Sequence, residues 1–228
     1  MTIQEYFGDW SKVIDLNRAD AIMKRLYSEK GVCPLYKDIF KAFKLCPLNT
    51  LRVVIIGMDP YSTLYKGKPT ATGIAFGNSP DTPENAYSPS LEVLKESVID
   101  FTIPHSNIIF DPSLEKWEEQ GVLMLNSALS CNIGKTGSHT LLWRPFIKSL
   151  ISNLSRFTTG IVYVLLGESA QSLESCIDVR FNHIIKEKHP AYYARTDTKM
   201  PYDLWVQINK ILIGQNGYGI EWYSNINC

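Results

Sequence analysis

Four short segments carry side chains able to act on a polar substrate: Met58-Asp59-Pro60-Tyr61-Ser62, Asn126-Ser127, Glu168-Ser169 and His189-Pro190. Between them they supply a carboxylate, an amide, hydroxyls and an imidazole. A carboxylate and an imidazole can stabilise opposite charges across one breaking bond. An amide can donate and accept at once, which suits the edge of a heterocycle. Each residue alone has a plainer role, because Asp and Ser cap helices, Asn sits in turns and His before Pro reads as loop. Position is what joins them: each segment follows a short apolar run, RVVIIG at 52–57, GVLMLN at 121–126, IVYVLLG at 161–167 and the weaker FNHIIKEKHP at 181–190.

Runs of this kind are too short for helices and read as strands buried on both faces. Helix-like segments separate them: SPSLEVLKESVIDF, PSLEKWEEQ, LLWRPFIKSLISNLS and ESAQSLESCI, with another stretch from about Asp15 to Phe43 broken near Gly31 to Pro34. Alternating strands and helices predict a single α/β domain over residues 1–228, with a central parallel four-stranded sheet and helices on both sides. Ligands of such sheets bind beyond the carboxyl ends of the strands, where the four segments lie.

The 228 residues are 45% apolar and 20% charged, as in ordinary globular protein. No apolar run approaches the ~20 residues of a membrane span, and MTIQEYFGDW lacks the features of a secretion signal. Cys33, Cys46, Cys131, Cys176 and Cys228 are scattered without metal-ligand spacing. These features predict an intracellular protein with no membrane contact and no structural metal, in the cytoplasm or, in a eukaryotic host, the nucleus; a monomer is expected. The formal net charge is zero, which neither supports nor opposes a nucleic-acid partner. Charge is uneven, however: Lys186, Lys188, Arg195 and Lys199 bracket the His-Pro segment, while DTPEN and SLEKWEEQ are acidic.

On these residues the chain resembles the uracil-DNA glycosylase family in its family 1 form. GMDPYS at 57–62 is similar to the family's GQDPYH, GIAF at 73–76 to GLAF and QGVLMLN at 120–126 to QGVLLLN. SPSL at 88–91, LLGESAQ at 165–171 and HPAYYA at 189–194 resemble the proline-serine loop, the Gly-Ser loop and HPSPLS. CPLYKDIFKAF at 33–43 and IEWY at 220–223 extend the likeness over nearly the whole chain. The resemblance implies excision of uracil flipped from single- or double-stranded DNA, without a cofactor. It implies Asp59 and His189 as catalytic residues, with Met58, Tyr61, Phe76 and Asn126 around uracil. Ser88, Ser90 and Ser169 would hold DNA phosphates, and Tyr192 or Tyr193 would fill the gap left by the base. It leaves open a protein inhibitor or replication partner.

Three positions depart from the family pattern. Met58 stands where Gln is usual, Ser62 where the motif ends in His, and Gly137 where a histidine often lies, although His139 follows. Such departures admit a second reading, a glycosylase fold kept as a DNA-binding or replication module with weakened chemistry. A third is an α/β-hydrolase with Ser169 as nucleophile, followed by Asp178 and His189 in the chain order of that fold.

Overall fold

The computed structural model describes residues 2–99 and 107–225. Within them the four apolar runs form β1 (Val53–Gly57), β2 (Val122–Asn126), β3 (Val162–Leu166) and β4 (His183–Glu187). The strands make one parallel sheet in the order β2-β1-β3-β4. Register aligns Gly57 with Asn126 and Leu166 with Glu187, so the strand ends share one edge.

Alternation along each strand divides the core into two layers. Val54, Ile56, Leu123, Leu125, Tyr163 and Leu165 face helices α1 (Leu16–Leu26) and, further along the chain, Thr140–Phe157. Val53, Ile55, Val122, Met124, Val162 and Val164 face α2 (Pro89–Val98) and α3 (Glu115–Glu119). Successive side chains of a strand point to opposite faces, and both faces here are covered, so a continuous apolar run is what these strands require. Full burial of one such Val or Ile stabilises the fold by roughly 1.5–3 kcal/mol.

Further helices are α4 (Thr140–Phe157), α5 (Glu168–Gln171), α6 (Pro190–Thr196) and α7 (Asp203–Asn216), besides short ones at Ile3–Phe7 and Lys41–Leu45. The segment SPSLEVLKESVIDF is helical over Pro89–Val98; its residues 100 and 101, and Cys228, lie outside the described residues. ESAQSLESCI forms a shorter helix than expected, followed by a 3-10 turn at Glu174–Cys176.

Of α4 to α7, two have no counterpart among the helices expected. The stretch after His189, read as loop, is α6: Pro190 opens it and His189 Nδ1 accepts the Ala191 N–H at 3.1 Å. At seven residues it is too short for helical periodicity to register. In α7, Val206 and Ile213 are exposed and blur the apolar stripe. Its buried Trp205 stacks against Trp117 and Trp222, with ring centroids 5.4 and 4.7 Å away, closing the layer under β1 and β2.

Among the described residues no helix is long and apolar enough to cross a membrane. The core contains one carboxyl group, Glu118, that is fully buried. It accepts the Met124 N–H at 2.9 Å, while its second oxygen has no hydrogen-bond partner. Burial raises its pKa well above the ordinary carboxylate value, against the pull of the Met124 N–H. The folded state therefore retains a proton that the unfolded chain releases. This contribution is complete below the unfolded pKa of about 4 and is lost as pH rises. Glu118→Gln should accordingly gain stability over the wild type on going from acid to neutral pH, as read by urea midpoints. An equal difference at both pH values would refute the buried-proton account.

Candidate active site

Gly57 ends the central strand and leaves space that two functional side chains occupy. A Cβ at this position would lie 2.6 Å from Phe76 Cζ and 2.7 Å from Asn126 Oδ1. Phe76 is buried and adopts a positive φ of 65°, a conformation costly for a bulky residue. Tyr61 holds it there, donating its hydroxyl to the Phe76 carbonyl at 2.9 Å. Asn126, at the end of β2, is also buried, and its side-chain amide has no hydrogen-bond partner among the described residues.

Asp59 lies two residues beyond Gly57. Its Oδ2 accepts the Gly137 N–H at 2.5 Å, a charge-assisted bond that fixes the carboxylate. Burial raises its pKa, and the Gly137 bond acts in the opposite direction. His189 follows β4, behind Gly167, where a Cβ would lie 2.7 Å from His189 Cβ. Burial first, and then the charge of Arg195, lower the His189 pKa to about 4, so the ring is neutral at physiological pH. With Nδ1 accepting from Ala191, the ring proton resides on Nε2, the nitrogen left to donate. The Phe76 and His189 ring centroids are 5.4 Å apart.

Asp59, Tyr61, Phe76, Asn126 and His189 line one cavity of about 30 Å³, with Ile39 and Leu129 among its apolar walls. Asp59, Pro60, Tyr61 and His189 also border a groove of about 1100 Å³, into which the cavity opens. Met58, Ser62, Ser88, Ser90, Ser169 and Tyr192 line that groove. Met58 is thus at the groove and not in the cavity wall, and its carbonyl accepts from Ala128 N at 3.0 Å and Ser127 Oγ at 2.7 Å. Lys188 and Arg195 lie on the same groove, whereas Lys186 is paired with Glu174 at 3.1 Å.

Two readings need correction. Tyr193 is only 7% exposed, and its hydroxyl donates to Glu187 Oε1 at 2.5 Å. Tyr192 is therefore the tyrosine on the groove, because consecutive residues of a helix face different directions. Ser169 does not belong to a hydrolase relay. Asp178 is committed to Arg180 at 2.6 Å, and His189 Nδ1 to a backbone N–H. His139, which follows Gly137 in the same loop, is buried, with Nδ1 at 2.8 Å from Ser130 Oγ and Nε2 at 3.0 Å from Glu29 Oε2. The role of Gly137 was not evident in the sequence, since the contribution is a backbone N–H, which any residue but proline carries. The one available signal was a Gly three residues before a helix, where a positive φ (76°) turns the chain.

Among the described residues no group of three or more His, Cys, Asp or Glu side chains could hold a metal ion.

The family model described as "Uracil DNA glycosylase superfamily" matches residues 43–213. The uracil-DNA glycosylase of Pectobacterium carotovorum subsp. carotovorum is 34% identical over 209 residues, 91% of this chain and 88% of that protein. That of Yersinia pestis is 35% identical over 199 residues, 86% and 83% of the two chains. A solved mimivirus UNG in complex with UGI has a TM-score of 0.78 at 23% identity, covering 97% of this chain and 88% of its own. That structural likeness shows the fold.

The Ala191 bond and the burial of His189 make a direct spectroscopic prediction. Long-range ¹H–¹⁵N spectra at neutral pH should show His189 neutral and protonated on Nε2. A doubly protonated ring at that pH would overturn the assignment.

Proposed function

This chain belongs to the uracil DNA glycosylase superfamily and excises uracil from DNA, and we propose that Asp59 and His189 act at opposite ends of the bond it hydrolyses. One observation carries the proposal: a single cavity combines a half-buried carboxylate, an unpartnered amide, a neutral imidazole and an aromatic ring.

Breaking the C1′–N1 bond leaves a cationic sugar and a uracil anion. Water then adds hydroxide to C1′ and returns a proton to the base. Asp59 faces the sugar, where its negative charge stabilises the cation and orients the water. The Gly137 N–H holds that carboxylate in place without consuming both oxygens. His189 donates from Nε2 to uracil O2 as negative charge accumulates there. A neutral imidazole is the appropriate donor, because its proton stays on nitrogen while the bond strengthens.

Asn126 reads the base, donating to O4 and accepting from N3–H. Cytosine offers the reverse pattern, and an unpaired buried group costs about 1–3 kcal/mol. Phe76 stacks on the ring, and Tyr61 occupies the space beside C5, where a thymine methyl would have to fit. The duplex hides the base, so the nucleotide must be flipped at a cost of a few kcal/mol. Ser88, Ser90 and Ser169 hold the flanking phosphates, contacts that position the strand without reading sequence. Tyr192 fills the space that the base leaves.

Asp59→Asn should lower kcat on a uracil-containing oligonucleotide by about 10²–10⁴ while DNA binding persists. Undiminished release of uracil would remove Asp59 from the mechanism, and wild-type protein that retards the DNA without cutting it would favour the binding-module reading. Asn126→Asp should release cytosine from a matched substrate, and a constant uracil-to-cytosine ratio would contradict base reading by this amide. Activity should persist in EDTA, because every role falls to a protein group.

The catalytic form has Asp59 ionised and His189 neutral. Since burial raises the Asp59 pKa, kcat/KM should fall on acidification through a limb lying above the ordinary carboxylate range. His189, at about 4, should add no limb near neutrality. A histidine-like limb near neutrality that disappears in His189→Asn would refute this assignment.

A further inference from the structure

The lining of the groove that holds Tyr192 also includes a hairpin, through Leu64 and Tyr65, to which the reaction assigns no role. Leu64–Tyr65 pairs antiparallel with Lys68–Pro69, with Leu64 opposite Pro69 and Tyr65 opposite Lys68. Lys66 and Gly67 close it, both at positive φ (47° and 79°), the two-residue turn that matches hairpin twist. Its base is fastened by Thr70 N–H to the Thr63 carbonyl at 3.1 Å and by their hydroxyls at 3.2 Å. The Gly134 N–H adds a bond to the Ser62 carbonyl at 2.8 Å. The hairpin is thus a held projection, with Leu64, Lys66 and Lys68 exposed and Tyr65 half-buried against the groove.

Its composition repeats that around Tyr192. Lys66 Nζ lies 5.3 Å from the Tyr65 ring centroid, and Lys188 Nζ lies 4.0 Å from that of Tyr192. Each pair joins a flat π-face to an adjacent positive charge, the two features with which proteins grip a nucleic-acid strand irrespective of sequence. Lys68 is occupied by Asp81 at 3.8 Å, but Lys66, Lys188 and Arg195 have no ion-pair partner among the described residues. Asp59 and Glu168 are the acids along the groove.

We propose that the Leu64–Pro69 hairpin is a DNA-strand contact, with Tyr65 stacking on a base beside the extruded nucleotide and Lys66 neutralising an adjacent phosphate. The occupant is the strand that enters the cavity, because groove and cavity share Asp59, Pro60, Tyr61 and His189 as their border. The proposal rests on the uracil-excision reading, and its test separates the two.

Kinetics and fluorescence anisotropy would be measured on a long uracil-containing oligonucleotide and on one trimmed to the uridine and its immediate phosphates. On the long substrate, Tyr65→Ala should raise KM and Kd about 5- to 100-fold, with kcat at saturation preserved. Tyr65→Phe, which keeps the π-face, should restore both. Lys66→Asn keeps a residue that tolerates the left-handed turn and should lower the salt dependence of log Kd by roughly 0.7–0.9. On the trimmed substrate, Tyr65→Ala should match the wild type. Unchanged KM and Kd for Tyr65→Ala on the long substrate would overturn the proposal, as would an equal penalty on both substrates, which signals damage to the cavity. Wild-type protein releasing no uracil would sink the excision reading instead, and anisotropy would still decide the hairpin.

Discussion

The missing side chain at Gly57 is the constraint on which the site depends. At the end of the central strand, the ring of Phe76 and the amide of Asn126 lie where a Cβ would stand. Both come from segments distant in the chain, and only a parallel sheet with aligned strand ends brings them there. The Tyr61 hydroxyl then couples the Asp59 segment to the Phe76 backbone. A substituent at this one position would displace the Phe76 ring and the Asn126 amide together. The sheet's stability is thereby spent on a fixed vacancy at its carboxyl edge, and the cavity is that vacancy bounded by side chains.

Burial in a poorly solvated cavity favours neutral groups, yet the proposed chemistry needs one charged and one neutral partner. The backbone resolves this asymmetrically. Asp59 receives a Gly137 N–H, which favours the carboxylate against the effect of burial. His189 receives a backbone donor on Nδ1, which favours the neutral ring, and the Arg195 charge pushes in the same direction as burial. Two N–H groups thus act in opposite senses within one cavity, one alongside burial at His189 and the other against it at Asp59. Neither can be removed by an ordinary side-chain substitution, so their influence stays out of sight in the residues' identities.

What could be read from the sequence followed from short-range order. β-Branched runs ending in Gly or Asn signalled strands buried on both faces, and of the residues at or just after the strand ends Asp59, Pro60, Tyr61, Asn126 and His189 line the cavity, while Met58, Ser62, Glu168 and Ser169 lie on the groove. The hairpin's Lys-Gly turn was readable in principle, as a two-residue loop with Gly second. Other features depend on three-dimensional packing. Tyr192 and Tyr193 are equivalent as letters, and only helix α6 turns one to the groove and the other to Glu187. The Trp117, Trp205 and Trp222 cluster joins residues up to 105 positions apart through contacts that no local pattern encodes. The commitment of His139 to Glu29 and Ser130 is of the same kind.

The three departures from the family pattern converge in space. Gly137 provides the N–H that anchors Asp59, and a Cβ there would lie 3.8 Å from Met58 Cε, so the Met58 thioether packs toward the glycine. Ser62 adjoins the same loop, its hydroxyl 3.5 Å from that of Thr136 and its carbonyl bonded to Gly134. A long apolar side chain, a short hydroxyl and a glycine therefore form one packed corner beneath Asp59. Residues in contact do not contribute additively. Restoring a histidine at position 137 alone would set an imidazole against Met58 on a backbone already at positive φ. The corner is consequently better understood as one alternative support for the same carboxylate than as three separate losses. What it maintains is the Gly137 N–H bond to Asp59, on which the proposed role of that carboxylate rests.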